Sequence, residues 1–132
     1  MRLKFIKAEE TQRNGKATIH HSGKLGFSGD AISSLGLTDQ KWISFAINED
    51  NAEDRNLYAV VYDEKTEGAF RINKAGQYYY VGTRAMFDTL GVDYRNSKVI
   101  YDIVKSEYEG REIIKFLKRI VRKKEKSLEL AL

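Results

Sequence analysis

The chain contains neither cysteine nor proline among its 132 residues. Without cysteine it has no disulfide, no thiolate metal ligand and no thiol nucleophile, which is typical of proteins in a reducing compartment. Without proline, the turns depend on glycine, asparagine and aspartate. These absences favour a cytoplasmic protein that is stabilised by its hydrophobic core alone.

Long hydrophobic runs are also missing. The first ten residues, MRLKFIKAEE, alternate charged and apolar side chains, so we expect neither a signal peptide nor a transmembrane span. Hydrophobic residues make up 42% of the chain and charged residues 32%, a balance typical of globular proteins. The length suits a single folding unit. We therefore expect one domain over residues 1–132 with no membrane partner.

The sequence also lacks a recognisable set of catalytic residues. His20 and His21 are the only histidines, and neighbours on a strand point to opposite faces, so they cannot easily chelate one metal ion. We expect one of them to be buried and the other exposed. Neither Ser22 nor Ser33 stands in a nucleophile-elbow pattern. The sequence therefore predicts a protein that is not an enzyme, with no catalytic residue, metal or cofactor.

What the sequence does contain is an internal repeat. The offset between matching positions grows from 53 to 55 to 56 residues along the chain, as duplicated units with small insertions would show. The matching segments are Ile19 to Gly23 with Ile72 to Gly76, Leu35-Gly36-Leu37 with Leu90-Gly91-Val92, and WISFAI at 42–47 with KVIYDI at 98–103. We place the repeats at about 15–62 and 68–117, followed by a basic tail at 118–132.

Two pairs of glycines give each repeat a physical interpretation. Gly23 and Gly76 stand between short β-like runs, where a residue that adopts positive φ allows a tight turn. Gly36 and Gly91 follow short helix-compatible segments and precede an aliphatic residue. That arrangement is typical of a left-handed helix cap.

The predicted fold is mainly β with short helices, in the α+β class. Strands are predicted at 3–8, 16–21, 24–27, 41–47, 56–62, 69–73, 77–81, 98–104 and 111–117, and helices at 29–35, 84–90 and near 118–130. The end of the chain is ambiguous. Apolar residues from Ile113 to Leu128 recur at three- and four-residue steps, so they also fit one amphipathic helix from about Arg111 onward.

Residues 23–37, GKLGFSGDAISSLGL, resemble the AbrB-like swapped-hairpin family of bacterial DNA-binding regulators and antitoxins. The matching positions are Gly23, Lys24, Leu25, Phe27, Ile32, Leu35, Gly36 and Leu37, and in the second repeat Gly76, Gln77, Tyr78, Tyr80, Leu90, Gly91 and Val92. The resemblance implies a β-barrel in which the two repeats form a fused pseudo-dimer, to which the apolar spacing of the last residues adds a helical C-terminal tail. It also implies a bacterial regulator of transcription that binds DNA.

The chain departs from that family in two respects. Ser28 and Val81 stand where family members usually have a proline, and Arg84 is the single arginine on the two short helices. A second arrangement of strands and helices fits the same sequence segments. Four strands and a helix over 41–90 look like one unit of the Whirly and Pur-alpha single-strand-binding type, which also points to nucleic acid.

Positive charge is concentrated in the second half of the chain. Residues 1–67 carry 9 Lys/Arg against 11 Asp/Glu, whereas residues 68–132 carry 14 against 8. The surplus peaks in KFLKRIVRKKEK at 115–126. Such a run indicates either a polyanion partner or a solvated basic helix face.

Three consecutive tyrosines, Tyr78 to Tyr80, lie among cations. On a strand Tyr78 and Tyr80 share one face, and exposed aromatic rings beside cations are typical of surfaces that bind single strands. Packing against the sheet is the other interpretation. The predicted nucleic-acid contacts, with DNA favoured over RNA, are Arg71, Lys74, Tyr78, Tyr80, Arg84, Lys98, Lys118, Arg119, Arg122, Lys123 and Lys124.

The competing hypothesis is a protein-interaction or assembly module. Leu128, Leu130 and Leu132 give the basic tail an apolar side, and such a segment can dock on a partner or on a second copy of the chain.

Overall fold

The computed structural model describes residues 1–6, 8 and 14–121. In that part of the chain the fold is mainly β, as predicted. The elements are β1 (Lys16–Ile19), β2 (Leu25–Phe27), α1 (Gly29–Leu35), β3 (Trp42–Ala46), β4 (Leu57–Tyr62), β5 (Phe70–Arg71), β6 (Asn73–Ala75), β7 (Tyr78–Val81), α2 (Arg84–Leu90), β8 (Lys98–Tyr108) and β9 (Arg111–Val121). Among the described residues, no helix is long and apolar enough to cross a membrane.

All nine strands belong to one antiparallel sheet that curls into a nearly closed barrel. The strand order is β5-β3-β4-β9-β8-β1-β2-β7-β6. The two strands at its ends, β5 and β6, are consecutive in the chain and are separated by Ile72 alone. Ile72 is fully buried, and its N–H donates to the carbonyl of Lys41 at 3.0 Å. One continuous segment, predicted as a single strand at 69–73, therefore joins the two ends of the sheet.

Strand pairs of the first half have counterparts in the second half. The first half contains hairpins β1–β2 and β3–β4 on either side of α1, and the second contains β6–β7 and β8–β9 on either side of α2. Strands β2 and β7 pair with each other, as do β4 and β9. Hairpins from the two halves consequently alternate around the barrel.

The predicted helix caps are confirmed. Gly36 ends α1 at φ 62°, and Gly91 ends α2 at φ 71°. After each glycine the next N–H donates to a carbonyl in the preceding helix at 3.0 Å, from Leu37 to Ile32 and from Val92 to Phe87. Both ends thus have the geometry of a glycine-terminated helix whose following aliphatic residue folds back.

Positive-φ glycines also occur at matched places outside the helices. Gly15 and Gly68 have φ values of 97° and 78°, and Gly23 and Gly76 have values of 90° and 63°. The members of each pair are 53 residues apart. The prediction that Gly23 and Gly76 are turn residues is therefore confirmed.

Aromatic rings dominate the interior. Phe116 lies within 6.4 Å, between ring centroids, of Phe27, Phe45 and Tyr101. Phe87 of α2 stacks on Tyr101 at 6.2 Å. Strands from both halves and one helix therefore share a single core.

Two predicted elements at the chain ends are wrong. Residues 3–6 form no strand, although 3–8 was predicted as one. Strand β9 continues to Val121, beyond the predicted end at 117, so residues 118–121 are not helical and no helix begins at Arg111. The cause is an unbroken ladder with β8, from Tyr108↔Arg111 to Lys98↔Val121. The rest of the predicted helical tail, 122–132, lies outside the described residues.

Candidate nucleic-acid interface

Tyr78 and Tyr80 lie together on the outer face of β7, as the strand period predicts. Their rings stack with centroids 5.6 Å apart and an interplanar angle of 18°. Tyr79 points the other way and packs against the buried core. Both outer tyrosines are half-buried, so part of each ring lies at the protein surface.

The ammonium group of Lys24 lies close to one of these rings. Its Nζ lies 4.7 Å from the centroid of the Tyr80 ring, within the range of a cation–π contact. Lys24 directly precedes β2, whose Gly26 pairs with Tyr80. The contact therefore depends on the pairing of β2 with β7.

Arg84 is held beside the same turn. It is the first residue of α2, and a Cβ placed on Gly23 would lie 2.6 Å from the Cβ of Arg84. The preceding residue, Thr83, is fully buried and its hydroxyl donates to the carbonyl of Gly23 at 3.0 Å. This hydrogen bond joins the turn before β2 to the start of α2. Lys24 and Arg84, which follow Gly23 and Thr83 directly, therefore lie on one surface.

His20 contacts Tyr78, the other ring of the stacked pair. Its Nε2 shares a hydrogen bond with the Tyr78 hydroxyl, and the two rings meet edge-on at 5.5 Å. Burial, and secondarily the neighbouring Tyr80 phenol, raise the pKa of Tyr78 above its ordinary value. Tyr78 is consequently a neutral phenol at physiological pH.

We call His20, Lys24, Tyr78, Tyr80 and Arg84 the tyrosine patch. Three of these residues were predicted as nucleic-acid contacts, and His20 and Lys24 were not. The expectation that one histidine of the pair would be buried is wrong, because His20 and His21 are both exposed. The turn that follows β1 carries both of them out of the sheet.

The other predicted cations of the second repeat are dispersed. Lys74 pairs across β6–β7 with Tyr79 and lies 5.5 Å above that ring, away from Tyr78 and Tyr80. Arg71 is exposed at the end of β5, opposite Trp42. Lys98 is exposed at the start of β8 and directly precedes Val99, the partner of Ile19. Of these, Lys98 lies on the strand next to the one that leads to His20.

The cations of β9 have other contacts. Lys118 is half-buried, and desolvation, followed by the charge of Arg55, lowers its pKa. Arg119 is ion-paired with Asp102, with Nε 3.2 Å from a carboxylate oxygen. Arg122, Lys123 and Lys124 lie outside the described residues, as does the leucine-bearing tail of the assembly hypothesis.

One signal in the sequence points to the missed part of the patch. Gly26 interrupts the short apolar run LGF, and a glycine inside a strand often marks the close approach of another group. Here that group is the Tyr78 side chain, whose hydroxyl would lie 2.2 Å from a Cβ on Gly26. Nothing in the local sequence, however, indicates that β2 pairs with β7, which follows about 50 residues later in the chain.

Comparison with family models, with curated protein sequences and with solved structures finds no match to this chain. In the part of the chain that the structure describes, no group of three or more histidine, aspartate or glutamate side chains is placed to hold a metal ion.

Proposed function

We propose that this protein binds nucleic acid without catalysing a reaction on it, and that the tyrosine patch is its contact surface. The observation that carries the proposal is the pair of stacked, half-exposed rings of Tyr78 and Tyr80 with Lys24 over one of them. Arg84 lies beside the same turn. Aromatic surface and positive charge are the two components of sequence-tolerant nucleic-acid binding.

The chemistry favours unpaired bases. A base stacked on an exposed tyrosine gains about 1–3 kcal/mol, but bases in a duplex already stack on one another. Lys24 supplies a phosphate contact, and Arg84 supplies a second one in competition with Asp88, whose carboxylate lies 4.0 Å from Arg84 Nε; such contacts contribute salt-dependent affinity. We therefore propose single-stranded or locally opened DNA as the ligand. The resemblance of residues 23–37 to a DNA-binding family favours DNA over RNA.

The matched features of the two halves support a related proposal about the fold. We propose that the chain is a fused pseudo-dimer of two AbrB-like swapped-hairpin units. Its support is the correspondence of hairpins β1–β2 with β6–β7 and β3–β4 with β8–β9, together with the paired positive-φ glycines. The corresponding biological role is regulation of transcription in a bacterial cytoplasm.

Titration of a fluorescent single-stranded oligodeoxythymidine at several salt concentrations tests the proposed contact surface. We expect salt-dependent binding and weaker binding to a duplex of equal length. Tyr80→Leu should reduce affinity about tenfold and leave the salt slope unchanged, because it removes stacking alone. Lys24→Gln should lower the slope by roughly 0.7, the value for one phosphate contact on a single strand.

Two exposed residues outside the patch provide matched controls. Tyr108→Leu removes an exposed tyrosine of the β8–β9 hairpin, and Lys65→Gln removes an exposed cation near Trp42. Both should bind as the parent protein does. Absence of binding at low salt, or equal losses in patch and control variants, would rule out the tyrosine patch as the contact surface.

A further inference from the structure

A cavity of about 350 Å³ opens between the carboxyl-terminal half of α1 and strands β4, β8 and β9. Half of its lining residues are apolar and half are polar, and we call the apolar ones its floor. The lining residues are Leu35, Ala59, Val60, Val61 and Ile114 among the apolar ones and Ser34, Tyr62, Lys105, Arg111 and Glu112 among the polar ones. A hollow that combines an apolar surface with polar groups is a common form of ligand site.

Beside the other helix, the barrel is packed with aromatic rings. There Phe87, Tyr94 and Tyr101 are each at most 1% exposed, and Phe87 lies 6.5 Å from Tyr94 and 6.2 Å from Tyr101 between ring centroids. Beside α1 the side chains of the floor are aliphatic and shorter. The barrel interior is thus packed differently beside the two helices.

Two cations line the cavity, and they lie on opposite faces of the β8–β9 hairpin, since Lys105 pairs with Ile114 and Arg111 with Tyr108. Among the described residues, neither Lys105 nor Arg111 has a carboxylate oxygen within the 4.0 Å of an ion pair. Arg111 instead donates from Nη2 to the Tyr62 hydroxyl at 3.3 Å. The Arg111 guanidinium, beside the Tyr62 hydroxyl, is therefore available to an anion.

Tyr62 adds a hydrogen-bond donor to these cations. Its phenol oxygen accepts hydrogen bonds from Arg111 and from the Ser44 hydroxyl, the latter at 3.4 Å. With both acceptor positions used, the hydroxyl proton remains to be donated. Ser44 and then Arg111 lower the pKa of Tyr62, which makes the phenol a stronger donor.

We infer that this cavity binds a small amphipathic organic anion, with its apolar part against Val61 and Ile114 and its anionic group at the Arg111 guanidinium beside the Tyr62 hydroxyl. No residue of the tyrosine patch lines the cavity, so the site is separate from the proposed nucleic-acid interface. Charge-assisted hydrogen bonds to lysine and arginine are about twice as strong as neutral ones. The anionic group therefore determines affinity, and the aliphatic floor selects for an apolar chain.

Methyl NMR on the full chain tests this site with octanoate as the probe and octanol as its uncharged counterpart. We expect saturable shifts of the Leu35, Ala59, Val61 and Ile114 methyl signals, with octanoate binding about tenfold more tightly than octanol. Octyl phosphate in a parallel titration distinguishes a preference for phosphate monoesters from one for carboxylates. Tighter binding of either anion than of octanol supports the inference.

Charge removal provides the decisive comparison. The variant Arg111→Met should bind octanoate and octanol equally, while Arg55→Met, which removes an exposed arginine elsewhere, should keep the preference. Exposed positions leave the fold intact, and the unliganded spectra check that directly. Equal binding of anion and alcohol by the parent protein, or shifts confined to methyl groups outside the cavity, would overturn the inference.

Discussion

At the scale of single residues, Gly26 determines where the Tyr78 side chain can lie. A Cβ on Gly26 would approach the Tyr78 hydroxyl to 2.2 Å and His20 Nε2 to 2.8 Å. The φ of Gly26 is not positive, so its backbone accepts other residues. The Tyr78 ring and its hydrogen bond to His20 therefore occupy space that only glycine leaves free.

We predict that Gly26→Ala moves the Tyr78 side chain while the barrel stays folded. The clash involves the far end of a side chain that can rotate, so the free energy of unfolding should fall by about 1 kcal/mol. Urea denaturation measures that loss, and the ring signals of His20 in NMR report the broken hydrogen bond. Gly82→Ala is the control, because a Cβ there meets nothing within 4 Å. Unchanged His20 signals in Gly26→Ala would contradict the prediction.

Only part of the tyrosine patch could be predicted from the sequence. The shared face of Tyr78 and Tyr80 follows from the two-residue period of a strand. The positions of His20 and Lys24 do not, because they depend on the pairing of β2 with β7 across more than fifty residues. Such pairing is set by the closure of the whole sheet, not by local pattern.

At the scale of elements, the two helices end in the same way. Each has seven residues and stops at a glycine in the left-handed region. A side chain in that conformation costs about 1–2 kcal/mol. The caps therefore contribute to stability at equivalent places in both halves.

We expect Gly36→Ala and Gly91→Ala each to lower the free energy of unfolding by about 1–2 kcal/mol, as measured by chemical denaturation. Space is not the cause, since a Cβ on Gly91 meets nothing within 4 Å. Gly29→Ala is the matched control at the start of α1, where φ is not positive and space is open. A loss in Gly29→Ala as large as in the two caps would count against the backbone explanation.

The error at β9 shows what limits sequence-based prediction of elements. Ile113, Leu117, Ile120 and Val121 fit a helical period, yet they form a strand. The hairpin turn decides the outcome: Glu109 and Gly110 adopt φ values of 52° and 73°, as a two-residue turn between twisted strands requires. That turn aligns β9 with β8 along eleven residue pairs, and this long-range pairing outweighs the local pattern.

At the scale of the whole molecule, Ile72 joins the two ends of the sheet. Its side chain is fully buried, and loss of a buried isoleucine side chain to alanine costs about 2–5 kcal/mol. We predict a loss in that range for Ile72→Ala, with a single unfolding transition, because every hairpin shares the core. Circular dichroism in the far and near ultraviolet during thermal unfolding measures both properties. Ile120→Ala at an exposed site is the control, and two separate transitions would contradict a common core.

The sequence predicts the fold class better than it predicts how the sheet closes into a barrel. A mainly β chain with two short helices follows from the apolar alternation and from the Leu-Gly-aliphatic segments, both of which are local features. The order in which the strands join does not, because β1 neighbours β8 and β4 neighbours β9. These contacts connect positions far apart in sequence, where periodicity carries no information.

The alternation of hairpins around the barrel makes each half structurally dependent on the other. Hairpins β1–β2 and β3–β4 never touch along a strand edge, since β8 and β9 separate them on one side and β5, β6 and β7 on the other. Alone, either half would retain two isolated hairpins, which are marginal in water. The short connection from Asp63 to Ala69 links the two halves covalently. We therefore expect a chain cleaved in this connection to remain folded, because each half still supplies the neighbouring strands of the other.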